Sequence, residues 1–239
     1  MKRDLHHRRS EVTREKILAA AIREFSEQGL AGARIGAIAA EAGVNKALLY
    51  YYFHDKQALY VAALEDVAGK VAQNAIAVLD LKCSPGERML RLVIQHFDRI
   101  LGRQGFQALL QQEMVRFREG RTDAMRIIAQ TAFQPMFFRV QETIQEGIRA
   151  GELCNVDWLQ MLYAALGANV FFFLSAPMIQ LLTPHNPLDP SAVAARRVSA
   201  IEFLGYSIFV DRKRGSRLAR KVLAATPMPK IALPERRTA

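Results

Sequence analysis

The sequence predicts an all-α fold, and three observations carry that expectation. Apolar residues recur at three- and four-residue spacing almost throughout, sustained two-residue alternation is absent, and glycines and prolines fall where helices would stop. The chain has 239 residues, 51% of them apolar, which is enough for a small domain joined to a larger one. No internal repeat or low-complexity run interrupts the pattern.

The first helix is expected to start near Ser10–Thr13, whose hydroxyls can cap it, and to run to Gly29, with Leu18, Ala21, Ile22 and Phe25 on one buried face. A short second helix over Ile35–Ala42 is closed by Gly43. Asn45 then caps a third over Lys46–Phe53, with Val44 and Leu49 placed to pack as a hydrophobic staple. Asp55 is the expected cap of a longer helix from Lys56 to about Leu81. Beyond the turn at Ser84, Pro85 and Gly86, helices are expected at 86–102, 106–118, 122–149, 156–175 and 190–211. Pro135 inside the stretch 122–149 frees a backbone carbonyl and should bend its helix, opening space beside Phe133 and Phe137 or leaving a simple kink.

Charge is unevenly spread. Residues 1–56 are net +3, residues 57–210 are neutral and residues 211–239 are net +7. A neutral body with basic ends suits contact with a polyanion through particular surfaces. Cys83 and Cys154 form no CxxC and have no histidine pair beside them, so neither a disulfide scaffold nor a metal site is expected, in keeping with a reducing cytoplasm. No signal-peptide apolar region follows the basic N-terminus. Leu159–Leu182 lacks charges for a length that could span a bilayer, but Gln160, Asn169, Ser175, Pro177 and Gln180 interrupt it and no basic cluster flanks it. The reading is a helix buried between subunits, with no membrane.

Residues 34–53, RIGAIAAEAGVNKALLYYYF, give two short helices around a tight turn at Gly43, the pattern of a helix-turn-helix whose second helix enters the DNA major groove. Leu49 and Phe53 would anchor that helix. Lys46, Ala47, Leu48, Tyr50, Tyr51 and Tyr52 would be left outward, since three successive tyrosines point about 100° apart and cannot all be core. Tyrosine hydroxyls donate to phosphates and their rings meet sugar or thymine methyl. Lys56 adds charge where a helix start already favours phosphate.

The segments TREKILAAAIREFSEQG and IAAEAGVNKALLYYYFHDKQAL resemble the N-terminal domain of the TetR family of transcriptional regulators, over roughly residues 11–71. The resemblance implies DNA contacts from Arg34, Ile35, Lys46, Ala47, Leu48, Tyr50, Tyr51, Tyr52 and Lys56. Two positions depart from the family pattern. Arg34 stands where a capping Thr or Ser is frequent, and Leu48 where a polar residue is. The base sequence read is affected, not the mode of binding.

The expected layout is therefore an all-α chain with a three-helix DNA-binding head over 11–71. A long helix joins the head to a helical effector-binding and dimerisation body over 72–211, followed by a basic tail over 212–239 whose end is disordered. The resemblance implies an effector cavity in the body, and the candidate lining is His96, Phe97, Met114, Phe117, Phe133 and Phe137, suited to an apolar ligand. Leu162, Leu166, Val170 and Phe173, with Ile201, Leu204 and Ile208, form two apolar stripes that read as the interface of a homodimer. A two-fold dimer places two reading heads on successive turns of a near-palindromic operator. The tail is expected to add phosphate contacts without specificity; the competing reading is that 212–225 extends the last helix and packs on a partner subunit. No Walker loop, GxSxG, HExxH or dinucleotide fingerprint is present, so no enzyme and no cofactor is expected. A nonspecific architectural DNA-binding protein is the alternative to a ligand-released repressor.

Overall fold

A computed structural model describes residues 2–102 and 104–229, with the side chains of 2–9 and Gln104 left aside. Among the described residues the chain is helical, and its one extended feature is an isolated bridge between Leu153 and Phe209. The helices are α1 (Lys2–Gly32), α2 (Ile35–Ala42), α3 (Lys46–Phe53), α4 (Lys56–Leu79), α5 (Pro85–Gly102), α6 (Gln104–Arg118), α7 (Ala124–Ile128), α8 (Gln134–Arg149), α9 (Trp158–Leu182), α10 (Pro190–Ser207) and α11 (Arg212–Ala225). A π-helical turn, Ala129–Phe133, links α7 to α8.

The chain divides into two compact units: Met1–Gln73 with Arg103–Pro135, and Asn74–Gly102 with Met136–Ala239. The head is thus larger than residues 11–71, because α6 packs on α1. In this first unit Ile17, Leu18, Ala21, Phe25, Ile38, Leu49, Leu59 and Tyr60 are buried. Phe25 meets Tyr60 edge to face at 5.1 Å. The Tyr60 hydroxyl donates to Glu113 Oε2 at 2.8 Å, and the Arg116 guanidinium lies 5.6 Å over the same ring. Glu113 is fully buried, and the Tyr60 bond together with Arg116 Nε, 3.5 Å from the same Oε2, offsets part of the cost of removing its charge from water. Burial and the bond to Glu113 push the Tyr60 phenol above its usual range. Sequence spacing gave no sign of this long-range polar contact.

Several expectations change in detail. Helix α1 begins at Lys2 rather than at Ser10–Thr13, and at Gly29 the backbone leaves helical geometry with φ 65° and ψ 174°. The single helix expected over 122–149 is three segments. Pro135 has no N–H for the carbonyl of Thr131, and the π turn just before it takes up the misfit as a widened turn. Helix α9 runs on to Leu182, past the expected end at 175.

In the second unit one core gathers Met89, Leu90, Val93 and Ile94 of α5, Val140 and Ile144 of α8, Met161 and Leu162 of α9, Ile201 and Leu204 of α10, and Ala219 and Val222 of α11. Residues 212–225 are therefore neither a free basic tail nor an extension of α10. They form a separate helix, capped by Asp211 accepting from Arg214 N at 3.0 Å, that packs on α10 and α5 of its own chain. Gly205 and Gly215 permit the crossing: a Cβ on Gly205 would stand 2.8 Å from the Gly215 carbonyl oxygen. Arg197 fixes the far end, with Nε and Nη2 on the two Asp98 oxygens at 2.6 and 2.8 Å and Nη2 also on the Thr226 carbonyl. The expected disorder at the chain end falls on 230–239, outside the described residues.

Candidate nucleic-acid interface and effector site

Helices α2 and α3 have the bounds the sequence predicts, and the reasons are local. Gly43 closes α2 in the left-handed region (φ 68°, ψ 33°), with its N–H on Ala40 O and that of Val44 on Ala39 O. Asn45 Oδ1 accepts from Leu48 N at 2.7 Å and opens α3. Asp55 does the same for α4, accepting from Ala58 N at 2.7 Å. An Arg23–Glu41 ion pair ties α1 to α2. Arg34 precedes α2 without a side-chain cap bond, as expected of a residue that cannot accept there, and its N–H donates to Glu24 at 2.8 Å.

Leu49 is fully buried and Phe53 nearly so, which locks α3 against the unit. Lys46, Ala47, Leu48, Tyr50 and Tyr51 are exposed, Tyr51 at 82%. Arg34 is exposed and Ile35 half-buried at the start of α2. Two of the expected DNA contacts, Tyr52 and Lys56, are less exposed than those outward residues of α3. Tyr52 is half-buried and shares a hydrogen bond with Ser10 Oγ at 2.9 Å, its ring beside Phe53. Its direction on α3 turns it toward α1. Lys56 is half-buried and its Nζ donates to the Ala31 carbonyl at 3.0 Å.

Between α3 and α4 lies a feature the sequence did not signal. His54 has φ 58° and ψ −56°, the only positive φ outside glycine among the described residues, and Asp55 N donates to Phe53 O at 2.5 Å across it. That is a classic-type γ-turn, a strained geometry.

The six residues expected to line an effector cavity are divided between the two units. Met114, Phe117 and Phe133 belong to the first unit, and His96, Phe97 and Phe137 to the second. Met114 and Phe117 are exposed on α6, and Arg126 sits 5.9 Å over the Phe117 ring. Phe97 is closed core, 5.1 Å from Phe173, and Phe137 meets Trp158 edge-on. His96 takes a weak hydrogen bond at 3.4 Å from the amide of Asn169, which also donates to Val93 O at 3.2 Å. Burial, with Arg99 nearby, pulls its pKa down to about 3, so the ring is neutral. A hollow lies between α9 and α10. It measures about 500 Å³, and Met161, Ala165, Ala168, Ala200, Phe203 and Leu204 line it, with Arg196 and Cys154 as polar groups.

The expected dimer stripes are corrected too. Leu162, Ile201, Leu204 and Ile208 are buried in their own chain's core, and Leu166 packs against it. Phe173 lies on Phe97, and Val170 is half-buried. The outward apolar face of α9 is instead Tyr163, Phe171, Leu174, Met178 and Leu181, with Phe203 and Tyr206 outward on α10. A long apolar helix has two such faces, and spacing alone does not say which one turns inward. Helix α9 is also long and apolar enough to cross a membrane by length and composition.

Residues 17–63 match the pattern of the bacterial regulatory proteins, tetR family. A transcriptional repressor of Streptomyces coelicolor is 48% identical over 68 residues, 28% of this chain and 34% of that protein. The chain matches these curated relatives over less than half of their length. In fold, a protein of Saccharomonospora viridis solved with choline is similar over 82% of this chain and 97% of its own (20% identity, TM-score 0.64). FadR of Bacillus subtilis, solved with stearoyl-CoA, is similar over 80% and 96% (19% identity, TM-score 0.61). Taken with the capped α2–turn–α3 geometry, the sequence matches make residues 17–63 of this chain similar to the bacterial regulatory proteins of the tetR family.

Proposed function

We infer that this chain is a cytoplasmic, homodimeric transcriptional repressor that reads a near-palindromic DNA operator with α3 and is released by a small apolar effector. One observation carries the reading. Lys46, Ala47, Leu48, Tyr50 and Tyr51 stand outward on a helix whose cap and whose anchors, Leu49 and Phe53, leave it no freedom to roll. Lys46 and the tyrosine hydroxyls supply phosphate and base-edge donors, and Leu48 an apolar contact for thymine methyl. Arg34 adds a phosphate contact by charge at the start of α2. Tyr52 and Lys56 serve mainly to position α3, through Ser10 and Ala31, with the remaining Lys56 donors available to a phosphate. The matched relatives are named as regulators, and no catalytic role is proposed.

The outward face of α9 supports a homodimer, since so long an apolar stripe is costly in water. The hollow between α9 and α10 supports an apolar effector, and the fold neighbours solved with choline and stearoyl-CoA support ligand binding by such a body. An effector there, beside the face where two chains would meet, would favour dimers whose heads no longer match the operator spacing, by its difference in affinity between the two states. Competition separates this reading from a nonspecific architectural binder. A labelled operator duplex, found as an inverted repeat flanking the gene, should resist displacement by random DNA by a factor of about a thousand or more. Equal displacement by both would leave only the architectural reading.

A further inference from the structure

Helix α11 carries Arg212, Lys213, Arg214, Arg217, Arg220 and Lys221, and they divide into two sets. Arg214 and Lys221 face carboxylates: Arg214 lies 3.2 Å from Glu152 and Lys221 3.2 Å from Glu87. Among the described residues, Arg212, Lys213, Arg217 and Arg220 make no ion pair with a side chain. At 100° per residue these four, with Ser216, fall within an arc of about 140° and along roughly 12 Å of helix. Together with Tyr206 of α10 they line one hollow of about 340 Å³. Arg212 is held there by Tyr206, with Nη1 3.2 Å from the hydroxyl and the guanidinium 5.0 Å over the ring. Asp211, at the helix start, is already spent as the cap, and Arg214 and Arg217 help hold its carboxyl below the usual range.

Like charges this close on one helix repel. Nothing in the fold requires them, because α11 docks through Gly215, Leu218, Ala219 and Val222 on its other side. A concave set of four cations and two hydroxyls is complementary to a compact multivalent anion. We propose that the hollow formed by Tyr206, Arg212, Lys213, Ser216, Arg217 and Arg220 is a binding site for a small molecule bearing adjacent phosphates. Two other polyanions fit less well. A membrane surface is usually held by apolar side chains beside the basic ones, and those of α11 are turned into the core. A duplex backbone spreads its phosphates along a line, whereas these groups converge on one hollow. The site stands apart from the DNA reading and does not depend on it.

The test is titration calorimetry of the full chain with inorganic tripolyphosphate and with ATP at near-physiological ionic strength, where unspecific attraction is screened. One anion should bind per chain. The double variant Arg217→Gln, Arg220→Gln should weaken binding about tenfold or more, while Arg214→Gln, Lys221→Gln, which removes the same charge from the paired set, should leave it within about twofold. All four positions are exposed, and an unchanged circular dichroism spectrum would exclude unfolding as the cause. Binding of either anion with that asymmetry supports the site. Absence of binding, or equal loss in both double variants, would overturn the proposal. So would random duplex DNA or anionic vesicles occupying the same residues more tightly than tripolyphosphate at equal phosphate concentration.

Discussion

On α3, neighbouring residues have opposite duties. Leu49 lies in the core and Tyr51 stands almost wholly in solvent, so truncating each should have separable effects. Lys46→Ala or Tyr51→Ala should weaken operator binding by about 1–3 kcal/mol while the melting temperature hardly moves. Leu49→Ala should instead destabilise the fold by about 2–5 kcal/mol. Gel shifts and thermal melts on the same preparations check both, and a large loss of stability in Tyr51→Ala would return that ring to the core. His54 makes a second case. Its positive φ suits glycine far better, so His54→Gly should stabilise the chain by about 1 kcal/mol net of the added chain entropy. A lower melting temperature would mean that the imidazole makes a compensating contact. The outward and inward sides of α3 were legible in the sequence because cap, turn and anchors are local. The turning of Tyr52 onto Ser10 and the strain at His54 were not, because each depends on how α3 meets α1 or α4.

Between elements, the α5–α9 contact carries a pH dependence. His96 is held neutral beside Asn169, with its pKa lowered to about 3 from an ordinary 6.5. The unfolded chain therefore binds a proton below about pH 6.5 that the folded chain refuses. Stability should fall as pH drops through that point, toward about 3. The imidazole is half-buried rather than sealed, so the loss should stay below the ceiling of about 1.4 kcal/mol per pH unit. Urea midpoints at pH 7 and pH 5 should show the drop in the natural chain and a smaller one in His96→Gln. Equal drops would place the proton uptake elsewhere. The same scale explains what spacing hid. Helix existence in the body was legible, but α9 is apolar on nearly every side, so its stripes did not tell core from surface. Likewise, charge counting made α11 look like a tail because its docking face, Gly215, Ala219 and Val222, consists of small residues with a weak apolar signal.

For the whole molecule, the proposed dimer rests on the outward face of α9 and α10. Leu204 now belongs to the protomer's own core, so a charge there would unfold the chain rather than divide a dimer. Phe171→Glu or Phe203→Glu is the informative change, because each ring is more than 60% exposed in one chain. Sedimentation should show folded monomer, and operator binding should fall because two heads no longer act together. A clean dimer in both variants would put the interface on another surface. The all-α class and the capped α2–turn–α3 unit were legible because helix caps and the Gly43 turn are written locally. The division into two units, with α6 and α7 joined to the head, was not, because it depends on contacts far apart in sequence such as Tyr60 with Glu113.

The central claim, that α3 reads DNA sequence, is tested most directly by selecting duplexes from a random library with the natural chain and with Tyr51→Ala. The natural chain should enrich a near-palindrome with half-sites about one helical turn apart, and Tyr51→Ala should bind that sequence about tenfold or more weakly. A library that emerges unenriched, or one that the variant binds as tightly as the natural chain, would contradict the account.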